Sequence, residues 1–246
     1  MTSKKIISLI CIVLSYLHMT SCASHRKIGA VKETPYLAIP ATMYPPADSI
    51  VSTHNEWTRA NYPKRIKAFK EAPLKLHDIV FLGNSITQQG GEWGKRLGNE
   101  AIKNRGIAGD VTDGVVARLG EVLYVKPTAV FIEIGINDLY NPTLNPERTA
   151  NNINTIAERI KQQSPGTMVF VQTVFPTSHV FLRSKISETN KILSQLHKPK
   201  LYTLIETHKL FADSADLMKK EYTKDGVHLT EMGYQVWVNH LRKFFK

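Results

Sequence analysis

Short, largely apolar runs punctuate the chain at 78–83 (DIVFLG), 128–135 (TAVFIEIG), 167–175 (TMVFVQTVF) and 201–207 (LYTLIET), and a more polar strand is expected at 101–107 (AIKNRGI). Runs of this kind, without apolar/polar alternation, are what strands buried on both faces require. Between them the apolar residues recur at helical spacing. The segment 112–123 carries Val115, Val116, Leu119 and Val122, and 145–163 carries Ile153, Ile156 and Ile160 behind a first-turn Pro146. Further helices are expected over 57–69, 92–98, 182–197 and 230–245. Alternating strands and helices predict an α/β protein: a five-stranded parallel sheet in a three-layer α/β/α sandwich with right-handed crossovers.

The ends of the chain read differently. Lys4 and Lys5 precede the apolar IISLICIVLSYL, which is short for a membrane span, and HMTSCAS follows. A small residue before Cys22 resembles a bacterial lipoprotein processing site, although Met19 stands where Leu is commoner. Residues 1–21 are therefore expected to be a signal peptide, with Cys22 lipidated and the protein exported and held on a membrane by that anchor. Pro35, Pro40, Pro45 and Pro46 mark 22–55 as a tether and extended arm. The folded domain is expected over 56–246.

Composition narrows the chemistry. With Cys11 in the signal, Cys22 is the remaining cysteine, which leaves no intrachain disulfide or cysteine metal cluster. The net charge of +11 becomes +9 without Lys4 and Lys5. The basic residues are scattered rather than interleaved with aromatics, so nucleic acid is not an expected partner. No phosphate-cradling or dinucleotide glycine motif and no clustered metal ligands appear, so no cofactor and no metal are expected.

In open parallel sheets ligands gather beyond the carboxyl ends of the strands. Those ends carry GNS with Ser85, GIAGD with Gly106 and Gly109, GIND with Asn137 and Asp138, and FPTSH. A serine hydroxyl needs a general base oriented by a third group. KDGVHLTEMGY offers Asp225 and His228, three residues apart in a glycine-containing loop; a turn closed by Asp225 is the alternative. The Ser85 and Gly109 backbone N–H groups and the Asn137 amide could receive an oxyanion. Gly109 could equally be a simple turn and Asn137 a helix cap. Trp93, Phe175 and His179 are candidates for a substrate pocket, with a core or loop role as the alternative. Trp57, Trp237 and the Phe pair near the C-terminus are expected in the core.

The blocks FLGNSIT, NRGIAGDVTDGVVARL, FIEIGIND and DGVHLTEMGY resemble, in order, the four signature blocks of the SGNH (GDSL-type) hydrolases. The resemblance spans roughly residues 57–243. It implies Ser85 as nucleophile, His228 as base with Asp225 behind it, and Ser85, Gly109 and Asn137 as oxyanion donors. Asn84 stands where the family usually has Asp. Within the family the chain is similar to exported carbohydrate O-acetylesterases and to platelet-activating-factor acetylhydrolase catalytic subunits. The resemblance implies a metal-free serine esterase that removes short acyl groups, acetyl from carbohydrate first. A lysophospholipase or thioesterase is the alternative, and a catalytically silent glycan-binding lipoprotein a third reading.

Overall fold

The computed structural model describes residues 38–245. The signal segment, Cys22 and the start of the expected tether lie outside the described residues. Five strands, β1 (Ile79–Gly83), β2 (Ile102–Gly106), β3 (Ala129–Glu133), β4 (Met168–Gln172) and β5 (Thr203–Ile205), form one parallel sheet in the order β2-β1-β3-β4-β5. The chain leaves β1 for β2 on one side and returns to β3 on the other. Loops after β1 and β3 therefore part in opposite directions, and a crevice opens beyond their carboxyl ends.

Phe81, Phe131 and Phe170 stand in register on one face. The Phe131 ring lies 4.9 Å from Phe81 and 4.4 Å from Phe170. Trp93, Phe244 and Phe245 close over these rings. Strand alternation sends Val80, Val130 and Val169 to the other face. There α7 (Pro146–Gln163), capped by the Asn145 side chain, buries Ile153, Ile156 and Ile160 and packs on α8 (Val180–Leu196). Helices on both faces make the predicted α/β/α sandwich.

Two expectations are corrected. The helix expected over 112–123 is two, α4 (Thr112–Ala117) and α5 (Gly120–Val125). Between them Arg118 turns inward onto Asp110, and Gly120 lies so close to the chain that an added Cβ would sit 2.5 Å from the Met43 carbonyl oxygen. The arm before residue 56 packs onto the domain. Tyr44 and Val51 are buried with Tyr62, Ile66 and Phe69 of α1 (Glu56–Glu71) and with Ile107 and Val111, forming a second small core. Trp57 is 60% exposed rather than internal, because α1 turns Thr58, Tyr62, Ile66 and Phe69 inward instead.

Candidate active site at the carboxyl end of the sheet

Ser85 follows β1 by two residues and opens the short helix α2 (Ser85–Gln89). The turn is held from several directions. Asn84 Oδ1 accepts the Ile86 N–H at 2.8 Å, the Tyr234 hydroxyl donates to the Ile86 carbonyl at 2.8 Å, and the Trp93 indole donates to the Thr87 carbonyl at 2.9 Å. Gly106 lets α2 lie against β2: a Cβ there would stand 2.3 Å from the Gln88 nitrogen. Asn84 itself is fully buried, and its Nδ2 has no partner.

His228 reaches Ser85 from the loop before α10 (Glu231–Leu241). Its Nε2 lies 2.9 Å from Ser85 Oγ, and its Nδ1 lies 2.7 Å from Asp225 Oδ2. The other Asp225 oxygen accepts the Val227 and His228 N–H groups at 3.0 and 2.8 Å. With Nδ1–H committed to the carboxylate, Nε2 carries the lone pair that faces the serine hydroxyl. Burial alone would raise the Asp225 pKa, but the imidazole and the two backbone N–H groups hold it down at about 2. Gly226, at φ 93°, turns this loop, and its carbonyl accepts the Ser178 N–H at 2.8 Å. The arrangement can take a proton from Ser85 and stabilise the resulting imidazolium.

Gly109 follows β2 by three residues and Asn137 follows β3 by four, at the same carboxyl end of the sheet as Ser85. Gly109 has φ 80°, and a Cβ there would meet Thr58 Oγ1 at 2.2 Å. Among the described residues, no protein group accepts from the backbone N–H of Ser85 or Gly109. Asn137 lies within α6 (Ile136–Tyr140), whose N-cap is Gly135, so it is not a cap. One of its amide hydrogens goes to the Asp110 carbonyl at 2.9 Å, leaving the other for a ligand. Asp138 points away from the crevice. It accepts from Thr112 N–H and hydroxyl and so closes the start of α4; burial raises its pKa to about 7.

The three proposed pocket residues separate. Trp93 is buried, edge-on to Trp237 at 4.8 Å and against Phe81 at 4.7 Å. Phe175 is likewise buried, stacked on Phe211 at 4.8 Å. Both belong to the aromatic core, because burying such rings outweighs exposing them. His179 alone stays near the site. It stands at the N-cap position of α8 without a side-chain capping bond, and its ring contacts Tyr140 and Phe181 at 5.8 Å each.

Residues with no advance signal complete the site. A cleft of about 580 Å³ opens beside Gly109 and Asn137, lined also by Ser52, Thr53, His54 and Asn55 of the arm and by Tyr140, Asn141 and Thr143. Asp110, next to Gly109, is fully buried between Arg118 and His54. Glu133, at the end of β3, is buried with its Oε1 unpartnered, and burial pushes its pKa up to about 8 against the pull of a Thr87 hydrogen bond.

The backbone has solved counterparts. A Streptococcus pneumonia protein named for platelet activating factor aligns at TM-score 0.67 and 24% identity, covering 76% of this chain and 94% of its own. A GDSL-like lipase from Bacteroides thetaiotaomicron aligns at TM-score 0.64 and 23% identity, with 75% and 96% covered. The lipase/acylhydrolase from Enterococcus faecalis aligns at 0.54 and 23%, with 70% and 98% covered. At these identities the likeness shows the fold. The N-acylneuraminate cytidylyltransferase of Escherichia coli is 24% identical over 196 residues; the match takes in 76% of this chain but 44% of that protein, so the chain spans less than half its length. The model of the GDSL-like lipase/acylhydrolase family matches residues 81–236, a region that contains Ser85, Gly109, Asn137, Asp225 and His228. With the sheet and that match in agreement, the chain belongs to the GDSL-like lipase/acylhydrolase family and is a hydrolase.

Proposed function

We propose that the protein is a serine esterase that removes short acyl groups, acetyl foremost, from carbohydrate. Ser85 is the nucleophile and His228 the general base, with Asp225 fixing its tautomer. The N–H groups of Ser85 and Gly109 and the Asn137 amide receive the oxyanion. The observation that carries the carbohydrate reading is the cleft beside Gly109 and Asn137. The hydroxyls of Ser52, Thr53 and Thr143 and the amides of Asn55 and Asn141 line it, and such groups match a polyhydroxylated alcohol better than an acyl chain. The Escherichia coli relative, named for an N-acylneuraminate, points the same way.

The alternative, hydrolysis of a lysophospholipid or thioester, is favoured by one feature. Val180 and Phe181 are exposed, 61% and 64%, at the start of α8 beside Tyr140. Acetate release from acetylated glycans, run beside p-nitrophenyl acetate, butyrate and octanoate, separates the two. Acetate release with an acetate ester preference supports the carbohydrate reading. A preference for octanoate with no glycan deacetylation overturns it.

The exported, membrane-anchored state is part of the same proposal and rests on Cys22. Cys22→Ala is expected to move the protein from the membrane to the soluble fraction and to abolish incorporation of labelled fatty acid. An unchanged distribution overturns the anchor.

A further inference from the structure

We infer that His54, on the N-terminal arm, is a positioning residue for the oxyanion side of the site, acting through Asp110. The inference rests on the reading of Gly109 and Asn137 as oxyanion donors. The matched family region begins at residue 81, so His54 belongs to a segment outside it.

His54 Nε2 lies 2.9 Å from Asp110 Oδ1, and both side chains are buried, at 1% and 0% exposure. Asp110 Oδ2 accepts from Arg118 Nε at 2.9 Å, and a second Arg118 nitrogen donates to the Gly83 carbonyl at 3.0 Å. The backbone of Asp110 meanwhile carries the site. Its carbonyl holds Asn137 Nδ2, and the residue before it supplies the Gly109 N–H. One carboxylate therefore ties the arm, the turn before Ser85 and both proposed donors into one unit. The approach is close enough to require glycine at 114, where a Cβ would fall 1.8 Å from Asp110 Oδ1 and 2.5 Å from His54 Nε2.

A buried carboxylate oxygen that loses a partner is strongly driven to find another. Without His54, Oδ1 keeps, among the described residues, the Val111 N–H at 3.1 Å. The carboxylate then rotates, and its backbone moves with it. Oxyanion donors tolerate displacements of about half an ångström, so the effect should fall on turnover rather than on substrate binding.

His54→Leu is expected to lower kcat on p-nitrophenyl acetate about 10- to 100-fold, with KM nearly unchanged. The rate is taken per active site, counted by titration with a serine-reactive phosphonate. His54→Gln, which keeps an N–H at similar reach, should restore most of it. Amide exchange in residues 106–111 should be faster in the Leu variant than in wild type. If the Leu variant does not fold, His54→Asn replaces it. A structural role alone lowers the melting temperature and leaves kcat per titrated site and the rescue pattern unmoved, and that result overturns the inference. A wild type inactive on every ester would instead defeat the proposed function; unchanged exchange at 106–111 in the variant would then still overturn the positioning role.

Discussion

His228 Nε2 stands 2.9 Å from Ser85 Oγ although 143 residues separate them in the chain. The short strand β1 sets the serine at the edge of the sheet. The Asp225 turn, pinned by Thr223 and by Ser178, sets the histidine over it. Two rigidly held loops are what keep a serine and an imidazole in hydrogen-bond contact without substrate.

The first prediction separates the three side chains. Ser85→Ala and His228→Ala should each lower kcat on the order of 10⁴-fold or more, since residues acting as a unit fail together. Asp225→Ala should cost less, because Nε2 still faces Ser85 when Nδ1 loses its acceptor. Steady-state kinetics on p-nitrophenyl acetate measures all three. Full activity in the His228 variant would place the base elsewhere.

Asn137→Ala should lower kcat roughly 10²- to 10³-fold with little change in KM, as expected for a donor aimed at developing charge. It also removes the bond to the Asp110 carbonyl, so about 1 kcal/mol of stability should go with it. Kinetics and a urea melt on the same preparation test this. A stability loss with wild-type kcat would leave Asn137 as a brace for Asp110 and no more.

Phe175→Ala and Trp93→Ala should destabilise the fold by about 3–5 kcal/mol each, the cost of a large cavity among buried rings. Neither should alter preference along an acetate, butyrate and octanoate series. A shift in chain-length preference in a folded variant would return the residue to the substrate pocket.

Glu133 gives the protein a stability that declines as pH rises through neutrality. Its native pKa of about 8 lies above the ordinary 4.5. Between those values the native state holds a proton that the unfolded chain has released, so stability is highest below pH 4.5 for this group and declines as pH rises toward 8. Asp138, at about 7 against 3.8, adds the same sign over a lower window. The urea midpoint of wild type should therefore fall between pH 5 and 8, and Glu133→Gln should flatten that fall. Parallel slopes in the two proteins would show that Glu133 does not titrate in this window.

The sequence by itself determined the sheet and its companions. Runs such as IVFLG and AVFIE are short, apolar and rich in β-branched and aromatic residues, and recur between helical segments, which suits strands buried on both faces. It also marked Ser85, Asp225 and His228, since a serine at a strand end and a carboxylate three residues before a histidine are local features. Direction was another matter. Trp93 and Phe175 follow strand ends as pocket residues do, and only the packing of Phe81, Phe211 and Trp237 around them turned both inward. His54 sits in a proline-rich tract with no periodicity, and Trp57 opens a helix whose inward face Thr58, Tyr62 and Ile66 take. Nothing near His54 in the chain announces Asp110, 56 residues away. Spacing along the chain sets which residues share a face, whereas which faces meet, and which buried charge finds which partner, is decided by the sum of many weak long-range contacts that exist only once the chain is folded.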